Sequence, residues 1–318
     1  MKWWFWFVLG IVLGSVTVAG VAVSVSLPVC TVSRDYVALV RLEGAIAYSE
    51  SPLGLLSGDV LTPRDVETIV SQVRKDPAAK AVVLVINSPG GSAVASEEIY
   101  QTIKKLGEEK VLVSYISEYG GSGGYYIALP ADEIIASPAG LTGSVGAVTV
   151  LLNWEKLMDN LGIETETFKS SKFKDIGSEW REMTDEERQI MTSMVKDIAE
   201  LFVERVKAHR GGKVVDWEDV LTARPYTGIQ AYRAGLVDGT GSLEEAVEKA
   251  RQLAGLLAET PTRWIRPRPP SLLELLMPTG TGDAMKLTYE VLLMWPLPAT
   301  GEKMMETYVM FSKAAKQE

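Results

Sequence analysis

The sequence predicts an α/β fold with parallel strands, and three observations carry that prediction. Short apolar runs, Ala81-Val82-Val83-Leu84-Val85-Ile86 and Lys110-Val111-Leu112-Val113-Ser114-Tyr115-Ile116, read as buried strands. Each runs into a glycine turn, Asn87-Ser88-Pro89-Gly90-Gly91-Ser92 and Gly120-Gly121-Ser122-Gly123-Gly124. Each turn leads into a helical stretch, about 93–106 and from Tyr125 to Leu129. Strands that alternate with helices in this way build a parallel sheet.

The other elements follow in order. Tyr36 to Gly44 reads as the first strand, and 45–61, small, polar and containing Gly and Pro, as a loop. Thr62 as N-cap and Pro63 at the first helical position open a helix with Val66, Ile69, Val70 and Val73 on one face, ending near Asp76-Pro77. Glu133 to Ala136 and Val145 to Leu151 read as short strands, Trp154 to Leu161 as a helix and Glu164 to Phe168 as a strand. Thr184 and Glu187 are spaced as a capping box at the head of a long amphipathic helix that runs to about His209 and stops at Gly211-Gly212. A short helix and strand fill 226–238, and a last helix 243–257. Pro261, Pro267, Pro269, Pro270 and Pro278 then break the pattern and predict a domain boundary. The expected organisation is an N-terminal segment 1–33, a body 34–258 and an extension 259–318. The apolar stretch Leu292 to Pro298 is too short to span a membrane, so it packs on the body or on a neighbouring subunit.

Composition narrows the function. The 318 residues carry a net charge of -9 with no basic, aromatic-interleaved patch, which argues against nucleic acid. One cysteine, Cys30, rules out an internal disulfide framework and argues against a structural zinc site. From Trp3 to Ser33 no residue is charged, and a helix needs about 20 apolar residues to cross a bilayer. Trp3, Trp4 and Trp6 suit the membrane interface. A cleavable signal peptide is the rival, but its apolar core is shorter, about 7–15 residues. The expectation is a retained anchor in contact with lipid. Lys2 and the amino terminus before it, with Arg34 offset by Asp35 after it, favour a cytoplasmic N-terminus and an extracytoplasmic body.

Ser122 has two readings. Gly and Ser make flexible linkers, but this stretch is pinned between two core elements. The alternative is a nucleophile on a tight bend, with free backbone N–H groups nearby at a helix start to hold an oxyanion. A serine nucleophile needs a base. His209, alone of its kind in the chain, falls in the last turn of a helix, where a histidine ordinarily meets the helix dipole. A lysine serves if desolvation lowers its pKa, and Ser-Lys pairs are a known variant of the triad. Lys169, Lys172 and Lys174 are candidates, and spacing alone does not choose among them.

Four blocks in order resemble the signal peptide peptidase A family: Asn87 to Ser92, Ser122 to Tyr126, Leu141-Thr142-Gly143-Ser144-Val145-Gly146, and Ser171-Lys172-Phe173-Lys174-Asp175-Ile176-Gly177-Ser178. The resemblance covers about residues 36–255. It implies a membrane-bound serine peptidase with a Clp-protease/crotonase-like fold of repeated βα units, acting without metal or cofactor. By that resemblance Ser122 is the nucleophile, Lys174 the general base and Ser144 a hydroxyl that orients the lysine, while the N–H groups of Gly91 and Gly123 form the oxyanion hole. It also implies a ring or dome-shaped homo-oligomer, in which Ser and Lys can come from adjacent subunits. One departure is Glu118-Tyr119-Gly120-Gly121, where the family has Ala-Ala or Ala-Ser before Ser-Gly-Gly; the extra glycines are expected to loosen the turn.

The expected function is hydrolysis of signal-peptide remnants and other extended peptides at the cell membrane. The alternatives are a related membrane protease acting on a membrane partner such as a stomatin relative, a crotonase-like acyl-CoA enzyme, and an inactive scaffold. The block from Lys172 to Ser178 favours the first, and an intact Ser122 and Lys174 argue against the last.

Overall fold

The computed structural model describes residues 35–48 and 60–266, together with the backbone of Leu292–Met294. The chain divides into two units, Met1–Arg34 and Asp35–Glu318. The expected anchor at 1–33 lies outside the described residues, as does most of the extension 259–318. Among the described residues no helix is long and apolar enough to cross a membrane.

The described strands are β1 (Tyr36–Glu43), β2 (Ala45–Ile46), β3 (Val60–Leu61), β4 (Ala79–Ser88), β5 (Gly90–Ser92), β6 (Val111–Gly121), β7 (Glu133–Ala136), β8 (Leu141–Gly143), β9 (Pro225–Thr227), β10 (Gly239–Thr240), β11 (Thr262–Ile265) and β12 (Leu292–Met294). The helices are α1 (Pro63–Lys75), α2 (Ala93–Gly107), α3 (Gly123–Ala128), α4 (Glu155–Asn160), α5 (Asp185–Arg210), α6 (Trp217–Leu221), α7 (Gly228–Arg233) and α8 (Leu243–Leu253). The main sheet runs β10-β7-β6-β4-β1-β11, and every pairing along it is parallel. β8 adds in parallel to the end of β6, and β9 pairs antiparallel with β8. A smaller sheet runs β12-β5-β2-β3, with β12 antiparallel to β5.

Both faces of the main sheet are covered, which is why its strands are apolar at nearly every position. Ala38, Val40, Leu42, Val82, Leu84 and Ile86 face one core, shared with α1, α2, α3 and Phe202 and Val206 of α5. The alternate residues Val37, Leu39, Ala81, Val83 and Val85 face a second core closed by Ala246, Val247 and Ala250 of α8. The period of two along each strand sorts neighbours onto opposite faces. The helix starts follow their caps: Thr62 accepts from the Asp65 N–H, and Thr184 with Glu187 makes both bonds of a capping box.

The structure departs from the sequence reading at several places, among them the expected loop 45–61, whose ends form β2 and β3. Val145–Leu151 and Glu164–Phe168 are not strands. Val148, Val150 and Phe168 are exposed there, Phe168 at 91%. Strand propensity needs a ladder partner, and this segment leaves the sheet edge. Gly235–Asp238 is a turn rather than a strand. Gly235 sits at φ 78°, where a Cβ would lie 1.8 Å from the Lys213 carbonyl oxygen, and the strand follows as β10. Gly120 and Gly121 do not loosen the Ser122 turn. They are the last ladder residues of β6, paired with Thr142 and Gly143, and a Cβ on Gly120 would meet the Ile116 side chain at 2.6 Å. The body also extends past 258, because β11 pairs with β1 as an edge strand of the main sheet. Pro261 stands before its first residue, a position that spares the ladder, and its carbonyl accepts from the Val37 N–H.

The end of α5 is tied to the sheet by a buried ion pair, Arg210 Nη1 to Asp238 Oδ2 at 2.7 Å, with side chains 4% and 10% exposed. Burial alone would raise the Asp238 carboxyl. Hydrogen bonds from Arg210, Lys213 and the Ile134 N–H more than offset it and hold the group below its usual range. A lowered folded pKa means stability that is full above the unfolded value, about 3.9, and is lost as the pH falls through the folded value. Asp238→Ala, which strands Arg210, should lower unfolding free energy by about 3–5 kcal/mol, read as a lower urea midpoint at pH 7. The difference from wild type should narrow in acid.

Candidate active site

Gly121 at the end of β6 and Gly143 at the end of β8 are register partners, so the next residues, Ser122 and Ser144, leave two neighbouring strands at the same level. Both take positive φ, 53° and 54°, and Ala223 is the one other non-glycine to do so among the described residues. Such backbone costs on the order of 1–3 kcal/mol and persists only where its surroundings over-determine it. They do so here. The Ser122 N–H donates to the Gly143 carbonyl at 2.8 Å and its own carbonyl accepts from the Tyr126 N–H at 2.9 Å, while the Ser144 N–H donates to the Arg224 carbonyl at 3.1 Å. Ser122, at φ 53° and ψ −117°, is a one-residue corner between strand and helix, the kind of strained strand-to-helix turn that presents a nucleophile at the top of an α/β-hydrolase sheet. It is 2% exposed, and Ser144 is also buried.

Glycine is required around that corner because backbones touch. A Cβ on Gly123 would lie 2.5 Å from Ser96 Oγ and 3.3 Å from the Gly91 nitrogen, and one on Gly124 would lie 2.4 Å from the Ser88 carbonyl oxygen. A Cβ on Gly91 would lie 2.0 Å from the Ile46 carbonyl oxygen. The start of α3 is thus pressed against β5, and β5 against β2. The N–H of Gly123, first in its helix, has no intrahelical partner. Two tyrosines after the glycines lock α3: Tyr125 donates to the Leu236 carbonyl at 2.6 Å, and Tyr126 donates to Glu97.

The structure treats the three lysines differently. Lys169 bonds Asp175 at 2.8 Å and the Lys172 carbonyl at 3.2 Å. Lys172 pairs with Glu186. Lys174 is exposed and, among the described residues, has neither an ion pair nor a side-chain hydrogen bond. No described hydrogen bond joins it to Ser122 or Ser144 within the chain. His209 is accounted for elsewhere: its Nε2 lies 2.9 Å from the Tyr100 hydroxyl. Burial first, then Lys104, Arg205 and Arg210, push its pKa down.

Sequence reasoning missed the residues that hold the lysine loop. Arg181 donates from Nε to Asp175 at 2.8 Å and from both terminal nitrogens to Glu187 at 2.9 and 2.6 Å. Glu187 is also the capping-box residue of α5. The capping-box spacing was a signal for Glu187, whereas nothing local marked Arg181 or Asp175.

With this geometry in place, comparison with known proteins is informative. Residues 104–257 match the model of peptidase family S49. The chain is 36% identical over 188 residues to MJ0651 of Methanocaldococcus jannaschii, covering 59% of this chain and 60% of that protein. It is 34% identical to the chloroplastic serine protease SPPA of Arabidopsis thaliana, over 71% of this chain and 33% of that one. It is 34% identical to slr0021 of Synechocystis, over 72% of this chain and 78% of that one. The chain belongs to peptidase family S49. It spans less than two thirds of the length of the first two of these relatives, 60% and 33%. Among solved structures it is similar to a mutant of the 1510-N membrane-bound stomatin-specific protease, with TM-score 0.42 and 14% identity, over 74% of this chain and 99% of that one.

Gly91→Ala should destabilise the domain by about 1–3 kcal/mol, the usual range for overpacking, because β5 must move off β2. Calorimetry should show a lower melting temperature, with more effect than the open-space control Gly212→Ala, where a Cβ meets nothing within 4 Å.

Proposed function

We propose that this chain is a membrane-anchored serine endopeptidase that hydrolyses signal-peptide remnants and other extended peptides with a Ser122–Lys174 dyad. The observation that carries the reading is the strained Ser122 corner, whose next residue, Gly123, packs closely on Gly90 and Gly91. In this mechanism Ser122 Oγ attacks the scissile carbonyl carbon while Lys174 Nζ, neutral, takes the hydroxyl proton. The N–H groups of Gly91 and Gly123 hold the oxyanion. Collapse expels the amine, which takes the proton back from Lys174, and water activated by the same lysine releases the acyl group. Ser144 orients the lysine from the neighbouring strand end.

Support for Lys174 comes from its freedom: Lys169 and Lys172 each hold a carboxylate, and Lys174 holds none among the described residues. Its exposure supports a dyad completed in a homo-oligomer, where Lys174 reaches Ser122 of another copy. Val150, Leu161, Ile163 and Phe168, exposed apolar residues on the segment leading to the lysine loop, suit such a contact. A ring closed in this way admits extended chains and spares folded proteins. Its fold kinship is with Clp-protease and crotonase-like proteins. The uncharged stretch Trp3 to Ser33 supports a single membrane span, with a cytoplasmic N-terminus and the peptidase body outside. β12 lies antiparallel on β5, opposite Gly90 to Ser92, so this edge accepts an extended segment, and a substrate peptide would take the same place.

Ser122→Ala and Lys174→Ala should each abolish cleavage of a fluorogenic peptide, with the double variant no worse than either, because the pair acts as a unit. Activity kept in Lys174→Ala and lost in Lys172→Ala would reassign the base. His209→Ala should stay close to wild type. Because a lysine base works only when neutral, kcat/KM should rise with pH through the alkaline range. A profile governed by a group near pH 6.5 and lost in His209→Ala would defeat the dyad.

A further inference from the structure

Lys174 and Asp175 are neighbours on one tight loop, where the Lys174 N–H bonds the Ser171 carbonyl at 3.2 Å and the Ser178 N–H bonds the Asp175 carbonyl at 3.0 Å. A carboxylate next to a lysine on a flexible stem is its nearest possible counter-ion. Here that carboxylate is taken. Asp175 Oδ2 accepts from Arg181 Nε at 2.8 Å and Oδ1 from Lys169 at 2.8 Å. Arg181 is in turn held by Glu187 through two bonds, and it donates to the Glu182 carbonyl at 2.9 Å. Glu187 receives the Thr184 N–H at the head of α5. The remaining nearby acid from α5 in the described contacts, Glu186, is paired with Lys172. The loop therefore contains three lysines: Asp175 is committed to Lys169 and Arg181, Lys172 is paired with Glu186, Glu179 and Glu182 make no described ion pair, and Lys174 has no counter-ion among the described residues.

We propose that Arg181 is a positioning residue for Lys174: it sequesters the Asp175 carboxylate and bolts the loop to the head of α5, leaving Lys174 as the one amine of the loop without a counter-ion. The inference rests on Lys174 being the base. Its physical content is simple. An opposite charge within about 4–6 Å stabilises an ammonium, and an ammonium cannot accept the serine proton. A guanidinium fork is the group best shaped to hold a carboxylate away from a competing amine. Arg181 first, then Lys169, keeps the Asp175 carboxyl well below the usual carboxylate range, so it is ionised at every pH where the enzyme would work. Without Arg181 its Oδ2 would lose its partner and be open to Lys174, while Oδ1 would stay with Lys169.

A purely structural role for Arg181 would lower stability and leave the pH profile in place. Sequestration moves the profile. With the full-length protein in detergent and an extended fluorogenic peptide, kcat and KM are measured against pH for Arg181→Gln, Arg181→Lys and the double variant Arg181→Gln/Asp175→Asn. Arg181→Gln should lower kcat at neutral pH about tenfold, with KM changed by less than about threefold, and move the midpoint of the rise in kcat upward by about one pH unit, the size of a single close charge. Arg181→Lys should fall between wild type and Arg181→Gln. The double variant, lacking the freed carboxylate, should bring the midpoint back to that of wild type. An unmoved midpoint in Arg181→Gln, or one that the double variant does not restore, overturns the proposal. If circular dichroism shows Arg181→Gln unfolded, Glu187→Gln carries the test by loosening Arg181. A smaller upward displacement is expected, and none overturns the proposal. Lys174→Ala separates the two levels. If it keeps activity, the base assignment itself fails. If it is inactive while Arg181→Gln behaves as wild type, only the role of Arg181 fails.

Discussion

The contact between the first turn of α3 and strand β5 is the constraint on which the rest of the site depends. Gly123 and Gly124 meet Ser96, Ser88 and the backbone of Gly90 and Gly91 at distances that exclude a side chain, and Gly91 meets Ile46 just as closely. Three backbones are stacked without intervening side chains. That stacking forces Ser122 to turn a corner in one residue, at a φ that serine ordinarily avoids. The strain is retained because β6 and β8 are fixed by their ladders and α3 by its two tyrosine anchors, so no single element can relax it.

A sheet buried on both faces supplies the rigidity that such a corner needs. β4 and β6 run side by side and deliver their C-terminal ends, with the two glycine turns, to the same edge. This is where the open ends of parallel strands generally place ligand sites in α/β proteins. β8 then brings Ser144 to the level of Ser122. In the smaller sheet β5 is paired with β2 on one side and with the antiparallel strand β12 on the other.

The lysine loop is built on different principles. It packs little of itself into the core, and polar bonds hold its shape: Arg181 between Asp175 and Glu187, Asn153 to the Arg181 carbonyl, and the Trp154 N–H to the Glu179 carbonyl. Exposed ion pairs contribute little stability singly, but a guanidinium bridging two carboxylates fixes geometry. Ser122 thus sits in a core corner and Lys174 on a polar, exposed loop.

The sequence by itself determined the α/β class, the strands β1, β4, β6 and β7, the caps at Thr62 and Thr184, and the Ser122 turn. Each of these is written in local patterns: apolar runs, cap residues and paired glycines. Membership of peptidase family S49 was legible in the same way, because the blocks around Ser122, Ser144 and Lys174 are local words in a fixed order. Tertiary structure alone decided what depends on distant partners. Val145–Leu151 has strand-like composition but makes no more than an isolated bridge at Val148, while Thr262–Ile265, just after a proline, finds a ladder on β1. The glycines that looked like looseness at 120 and 121 are ladder residues paired with β8, and the Ile116 side chain leaves no room for one at 120. Spacing left Lys169, Lys172 and Lys174 equal. Carboxylates contributed by residues 175 and 186 made them unequal, since an ion pair is settled by where two chains meet in space and not by their order along the sequence.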